Sequence, residues 1–139
     1  VVPDIPRERA PVSRGSTGPD AKTREAVYER DRWRCVCCGT PVKGRPHSIG
    51  HRKRRSQGGR HEMPNLVTFL GWGNGLTGAE DHHYRIDQRR NPADEDRGLT
   101  VRSYKNPADV PVRLWDGRLV FLTTDGGLSD SPASPRKDT

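Results

Sequence analysis

Apolar residues in this chain come in short bursts separated by long polar runs, and the spacing within each burst predicts an element. Ala26, Val27 and Tyr28 lie in a polar stretch that opens at Asp20, a residue suited to an N-cap, so a helix is expected from there to about Asp31, with Trp33 packed against it. Residues 47–52 read as short and extended, with Ile49 inward, and 56–63 as a polar, glycine-bearing loop. The segment 65–70 is apolar and β-prone through Val67, Thr68 and Phe69. A flexible loop with glycines at 71, 73, 75 and 78 precedes a helix expected over 79–89, opened by Glu80 and Asp81, acids that suit its positive end. Asn91 and Pro92 start a short helix or turn ending near Gly98, and 99–103 is extended. The apolar runs 110–114 and 118–123 flank Asp116 and Gly117, a strong hairpin signal. Residues 1–19, rich in Pro, Gly, Ser and Arg, are expected to be a flexible arm, 20–125 the folded domain, and 126–139 a disordered Ser/Pro-rich tail. No internal repeat is visible.

Composition narrows the classes. Of 139 residues only 29% are hydrophobic and 31% are charged, so the core is small and a staple such as a metal would help it. The net charge of +7, from 25 Lys and Arg against 18 Asp and Glu, attracts polyanions, of which nucleic acid is the commonest. The charge is not evenly spread: Lys43, Arg45, Arg52, Lys53, Arg54, Arg55 and Arg60 crowd one segment with no acid between them. Three cysteines within 35–38 do not describe a disulfide framework; Cys35 and Cys38, two residues apart, read as a metal clip or redox motif in a reducing compartment. No stretch is long or apolar enough to span a membrane, and the expected location is the cytoplasm.

The chemistry lies in an ordered set: Cys35 and Cys38, then His51 followed by the basic loop to Gly59, then Asn65, then Asp81, His82 and His83. Hydrolysing a phosphodiester requires an activated water, relief of charge on the phosphate and help for the leaving oxygen. A one-metal nuclease divides these tasks between a neutral imidazole and a divalent cation. A histidine with an ordinary pKa of about 6.5 is mostly neutral at cellular pH and can take a proton. Arg52, Lys53, Arg54, Arg55 and Arg60 would grip phosphates flanking the cut. Asn65 can bond to loop backbone and hold the histidine loop. His82 and His83 point about 100° apart on a helix, so one of them faces the site, His83 ahead of His82. Taken singly, each feature has a plainer reading: a surface histidine, a solvated basic loop, a turn asparagine, an exposed helix face.

Together they have a familiar order. From about Thr17 to Gly127 the chain resembles the small HNH endonucleases of actinobacteriophages, in Thr17-Gly-Pro-Asp, Val27-Tyr-Glu-Arg-Asp31, Arg34-Cys-Val-Cys-Cys-Gly39, Ser48-Ile-Gly-His51 through Gly59, Asn65-Leu66, Gly75-Leu-Thr-Gly78 and Pro111-Val112 before a closing hairpin. The resemblance implies an α+β fold: a small ββα-metal core with an N-terminal helix, a C-terminal β-hairpin and disordered tails. It also implies a DNA endonuclease using one Mg²⁺ or Mn²⁺. His51 would be the general base, Asn65 the positioning residue and His83 or His82 the metal ligand. Products would carry 5′-phosphate and 3′-hydroxyl ends. Partners would be DNA and, from the family's setting, phage terminase or packaging proteins in the host cytoplasm.

Two departures stand against the pattern. The position before the base, which in HNH enzymes often supplies a metal ligand, is Gly50; Asp81 or His47 is the candidate substitute, and weak metal affinity without DNA is expected. Relatives hold a structural Zn²⁺ with two cysteine pairs, but Leu70 and Ala79 stand where the second pair is expected. Cys35 and Cys38 would then need help from His61, His82 or Cys37 to complete four-coordinate zinc. These gaps keep two other functions in view, a DNA-binding protein that has lost cleavage and a zinc-stapled interaction module.

Overall fold

The computed structural model describes residues 18–76 and 78–131. These form a small mixed α/β unit with three helices and two antiparallel sheets, an α+β arrangement. Helix α1 (Ala21–Arg30) starts where Asp20 accepts the Thr23 amide at 2.8 Å, as its N-cap character predicts. Its last residue turns inward. Arg30 pairs with Asp31 at 2.8 Å, with both side chains almost fully buried, and donates to the carbonyls of Met63 and Leu66 at 2.8 and 2.5 Å. Asp31 in turn accepts the Thr68 amide at 2.9 Å. This buried pair is satisfied on both sides, the condition under which a desolvated charge pair is tolerable, and it ties α1 to the first sheet. Tyr28 and Trp33 stack at 4.7 Å, as expected of Trp33.

The first sheet pairs β1 (His47–His51) with β2 (Leu66–Leu70) in antiparallel register, Ser48 opposite Phe69 and Gly50 opposite Val67. Strand alternation sends Ser48, Gly50, Val67 and Phe69 to one face. Helix α2 (His82–Arg89) packs on the hairpin, burying Ile86. The sequence reads one helix over 79–89. The structure breaks it into a 3-10 turn (Gly78–Glu80) and then α2, because Asp81 restarts the helix as N-cap to Tyr84. A one-turn helix α3 (Pro92–Asp96) follows, capped by Asn91.

The second sheet is β3 (Val112–Arg113), β4 (Leu119–Leu122) and β5 (Leu128–Ser129). Its first turn is the one Asp116 and Gly117 announce, with Gly117 at φ +90° and the Leu114 amide bonded to the Arg118 carbonyl. The third strand corrects the sequence reading, which assigns everything from 126 to a disordered tail. A turn at 123–127, closed by the Thr123 amide on the Gly127 carbonyl, returns Leu128 opposite Leu122. Residues 99–103, expected to be extended, join neither sheet. That segment is held by single bonds, among them the Val101 amide to the Arg52 carbonyl at 2.8 Å. The expectations for the extreme arm and tail lie outside the described residues.

One core joins these parts: Cys35, Val36 and Val42 from the cysteine turn, Val67, Phe69 and Leu70 from β2, Ile86 from α2, Leu99, and Val112, Leu114, Val120 and Leu122 from the second sheet. Among the described residues no helix is long and apolar enough to cross a membrane.

Candidate active site and metal centre

The cysteine turn is built by backbone bonds. The Gly39 amide reaches the Cys35 carbonyl at 2.7 Å, and the Cys35 amide reaches the Thr40 carbonyl at 3.0 Å. The ligand atoms of Cys35, Cys38 and His82 lie within 4.8 Å of one another, a group that could hold a metal ion. The donor set fits zinc. Zn–S and Zn–N bonds at a tetrahedral centre place sulfur and nitrogen about 3.6 Å apart, and Cys35 Sγ stands 3.7 Å from His82 Nδ1. Of the three helpers the sequence offers, the structure brings in His82. His61 lies elsewhere, against His51. Cys37 faces Arg85 and Arg97 at 3.6 and 3.8 Å. A hydrogen bond from Cys35, with His82 and the two arginines nearby, holds the Cys37 thiol down at about 6, while the same bond and burial push Cys35 up.

The second centre is on the hairpin. His51 closes β1, and its Nε2 lies 2.9 Å from His61 Nδ1, so one imidazole donates to the other. Burial first, then His61, Arg55 and His83, lower the His51 pKa to about 4, against a small opposing pull from Asp87. His51 is therefore neutral throughout the physiological range. Asn65 does what an asparagine there can do: its Oδ1 accepts the Lys53 amide at 2.7 Å, and its Nδ2 donates to the carbonyls of Lys53 and Arg60 at 3.1 and 2.9 Å. The loop after His51 is thus pinned at both ends by one side chain. Gly59 completes the fold of that loop, since a Cβ there would lie 1.8 Å from the Lys53 carbonyl oxygen.

His83 lies over the same hairpin. Its Nδ1 is 2.6 Å from Ser48 Oγ, while the single Ser48 hydroxyl proton goes to the Gly71 carbonyl at 2.7 Å. Ser48 can then only accept from His83, so Nδ1 carries the hydrogen and Nε2 keeps a bare lone pair. This is the tautomer a metal-binding imidazole adopts when its other nitrogen is anchored. Burial lowers the pKa of His83 as well. The ring is 5.6 Å from that of Phe69. Gly50 sits beneath both. A Cβ there would lie 2.5 Å from Phe69 and 3.5 Å from His83 Cδ2. The space a ligand side chain at this position would need is filled by the phenylalanine.

Other expected residues take different places. Asp81 is 1% exposed, and its carboxylate accepts the amides of Gly73, Gly75 and Tyr84 at 2.9 to 3.2 Å. It is spent folding the glycine loop over α2 rather than offered to a cation. His47 donates through Nδ1 to the Arg45 carbonyl and sits edge-on to Tyr28 and Trp33. Among the described residues no group of three or more His, Cys, Asp or Glu ligand atoms gathers at the hairpin, where a hard divalent cation would prefer carboxylates.

Arg52 corrects the sequence reading outright. It is expected to grip phosphate, yet it is fully buried, with Nε on the Gly98 carbonyl, Nη1 on those of Pro64 and Pro107, and Nη2 on that of Val110, at 2.6 to 3.0 Å. Burial pushes its pKa down to about 9, so it still carries its proton at neutral pH. Arg55 and Arg60 are exposed, and Lys53 and Arg54 half-buried, with Arg54 hydrogen-bonded to the Asp87 carbonyl. Two residues whose roles pattern reading misses complete the site. His61, expected as a zinc helper, is instead the His51 partner, a role hidden because it lies in a polar loop of no fixed spacing. Arg90, at the left-handed end of α2, donates to the carbonyls of Arg52 and His51 at 2.9 and 3.3 Å and ties the helix to the end of β1. No protein-family model, curated protein or solved structure matches the chain.

Proposed function

We propose that this protein is a metal-dependent HNH-type endonuclease that hydrolyses DNA phosphodiester bonds. The observation that carries the reading is the ββα arrangement: a strand ending in neutral His51, a loop pinned by Asn65, and a helix holding His83 over the hairpin in its metal-ready tautomer. His51 accepts the proton of the attacking water. Its bond to His61 gives that proton a second ring to move to. Lys53, Arg54, Arg55 and Arg60 hold the flanking phosphates. His83 is the residue that would hold Mg²⁺ or Mn²⁺, whose chemistry is charge neutralisation at the phosphate, and the sparse donor set suits a cation that arrives with the DNA. Cys35, Cys38 and His82 would hold Zn²⁺ as a structural staple tying the cysteine turn to α2. A phage origin, work beside a terminase and a cytoplasmic setting belong to this reading through the family resemblance.

The test is nicking of supercoiled plasmid with Mg²⁺ or Mn²⁺. The expected result is cleavage that EDTA abolishes and that His51→Ala lowers by at least about a hundredfold. A His51→Ala protein that cuts as well as the parent defeats the mechanism. The second reading, a DNA binder without cleavage, is favoured by the phenylalanine filling the space at Gly50; it requires metal-insensitive binding and intact plasmid.

A further inference from the structure

Tyr104 is a large aromatic residue left 76% exposed, and it stands between two clefts. One, about 530 Å³, is lined by Arg54, Arg89, Arg90 and Arg102 among others, against the single acid Glu95, which is already paired with Arg102 at 2.7 Å. The other, about 340 Å³, is lined by Lys53, Arg60 and Lys105 against Glu62, together with Gly58 and Gly59. Tyr104 lines both. Lys105 places its ammonium 5.8 Å from the ring centroid. The segment carrying Tyr104 is fixed to the loop that follows His51: the Val101 amide bonds the Arg52 carbonyl, Lys53 Nζ the Lys105 carbonyl at 3.1 Å, and Arg52 the Pro107 carbonyl. Arg90, which holds the His51 carbonyl, lines the first cleft, and Asn65, which pins the loop after His51, lines the second.

We infer that Tyr104 is a stacking platform for an unpaired nucleobase, and that the two basic clefts on either side of it carry the backbone of single-stranded or frayed DNA past His51. An exposed aromatic ring gains nothing from water but stacks well on any base, whatever its sequence. Basic clefts on both sides follow a phosphate backbone. Bases inside a duplex are stacked on one another and cannot reach the ring, so the platform selects strands whose bases are free. The inference deepens the nuclease reading by naming the state of its substrate, and rests on that reading only for the identity of the polymer.

Binding and cutting are measured separately so that the two ideas fail separately. In EDTA, fluorescence anisotropy compares a labelled oligothymidylate with a blunt duplex of equal length, using the parent, Tyr104→Ala and Tyr104→Trp. The exposed position allows all three to fold, and equal melting temperatures check it. The expected result is tighter binding of the single strand by the parent, loss of about tenfold in Tyr104→Ala, retention in Tyr104→Trp, and duplex binding unchanged by either. Equal single-strand affinity in the parent and Tyr104→Ala overturns the platform even if plasmid is cleaved. Tyr104-dependent strand binding by a protein that cuts nothing preserves the platform and removes the nuclease.

Discussion

Replacing Arg52 by methionine separates a structural guanidinium from a phosphate contact. Methionine keeps much of the length and apolar volume and removes the donors. Four carbonyls, of Pro64, Gly98, Pro107 and Val110, lose the Arg52 donors together; those of Pro64 and Gly98 are buried, and that of Pro107 keeps the Val110 amide. An unsatisfied buried acceptor costs about 1–3 kcal/mol, so for the three left bare the gross loss is about 3–9 kcal/mol. Against it stands the desolvation penalty of burying a cation, several kcal/mol, which methionine does not incur. A net loss of about 3 kcal/mol follows, and at roughly 4 °C per kcal/mol for a domain of this size the melting temperature falls by about 12 °C. Against a total stability of about 5–15 kcal/mol this is a large fraction. Thermal and urea denaturation followed by circular dichroism measure it, with DNA affinity recorded over a salt series on protein that remains folded. If Arg52 instead contacts phosphate, the variant melts within about 2 °C of the parent, and the salt slope of DNA binding falls by about one unit. That pair of results refutes the buried-hub account.

The metal clip predicts near-stoichiometric zinc in protein prepared without chelators, lost in His82→Ala and kept in His83→Ala; metal retained by His82→Ala removes the site. Neutral His51 predicts a stability slope in acid. Its folded pKa of about 4 lies below the unfolded value of about 6.5, so its neutral form is fully accommodated above 6.5, and stability falls as pH drops from 6.5 towards 4 because the unfolded chain binds the proton first. Urea midpoints between pH 7 and 4 should show a slope that His51→Gln makes shallower; an unchanged slope contradicts the shift. Gly50→Ala places a Cβ 2.5 Å from Phe69 and should cost about 1–3 kcal/mol. Phe69→Leu in the same chain should recover part of that loss, giving a coupling that a double-mutant cycle reads; strictly additive losses would show that the two do not share the space.

What the sequence made legible is what neighbouring residues decide. Asp20 caps α1, Asp116 and Gly117 turn the second sheet, and the apolar run through Phe69 becomes β2, because each depends on backbone preferences within a few positions. The tandem histidines were legible for the same reason, since a helix fixes the angle between neighbours. Arg52 was not. Within a run of four basic residues nothing local distinguishes the one that turns inward, and its destination is set by carbonyls at 64, 98, 107 and 110 that the fold gathers from three separate segments. Asp81 misled for a related reason: the amides that take its carboxylate come from a loop six to eight residues earlier. Leu128 reads as tail until β4 is present to pair with it.

The adjacency of His82 and His83 gives the molecule its economy and its constraint. Consecutive residues on a helix differ by about 100° in direction, so a single placement of α2 sends His82 to the cysteine turn and His83 to the hairpin. Rotating the helix to improve either contact spoils the other. Its start is fixed by the Asp81 cap, its depth by buried Ile86, and its end by Arg90 on the β1 carbonyls. A metal ion in the clip would add one more restraint at the first turn, one residue from the imidazole over Gly50. The clip and the hairpin site are therefore not separate modules. Whatever holds His82 also sets where the lone pair of His83 stands, and this explains how a chain lacking the second cysteine pair can still present an ordered imidazole over its sheet.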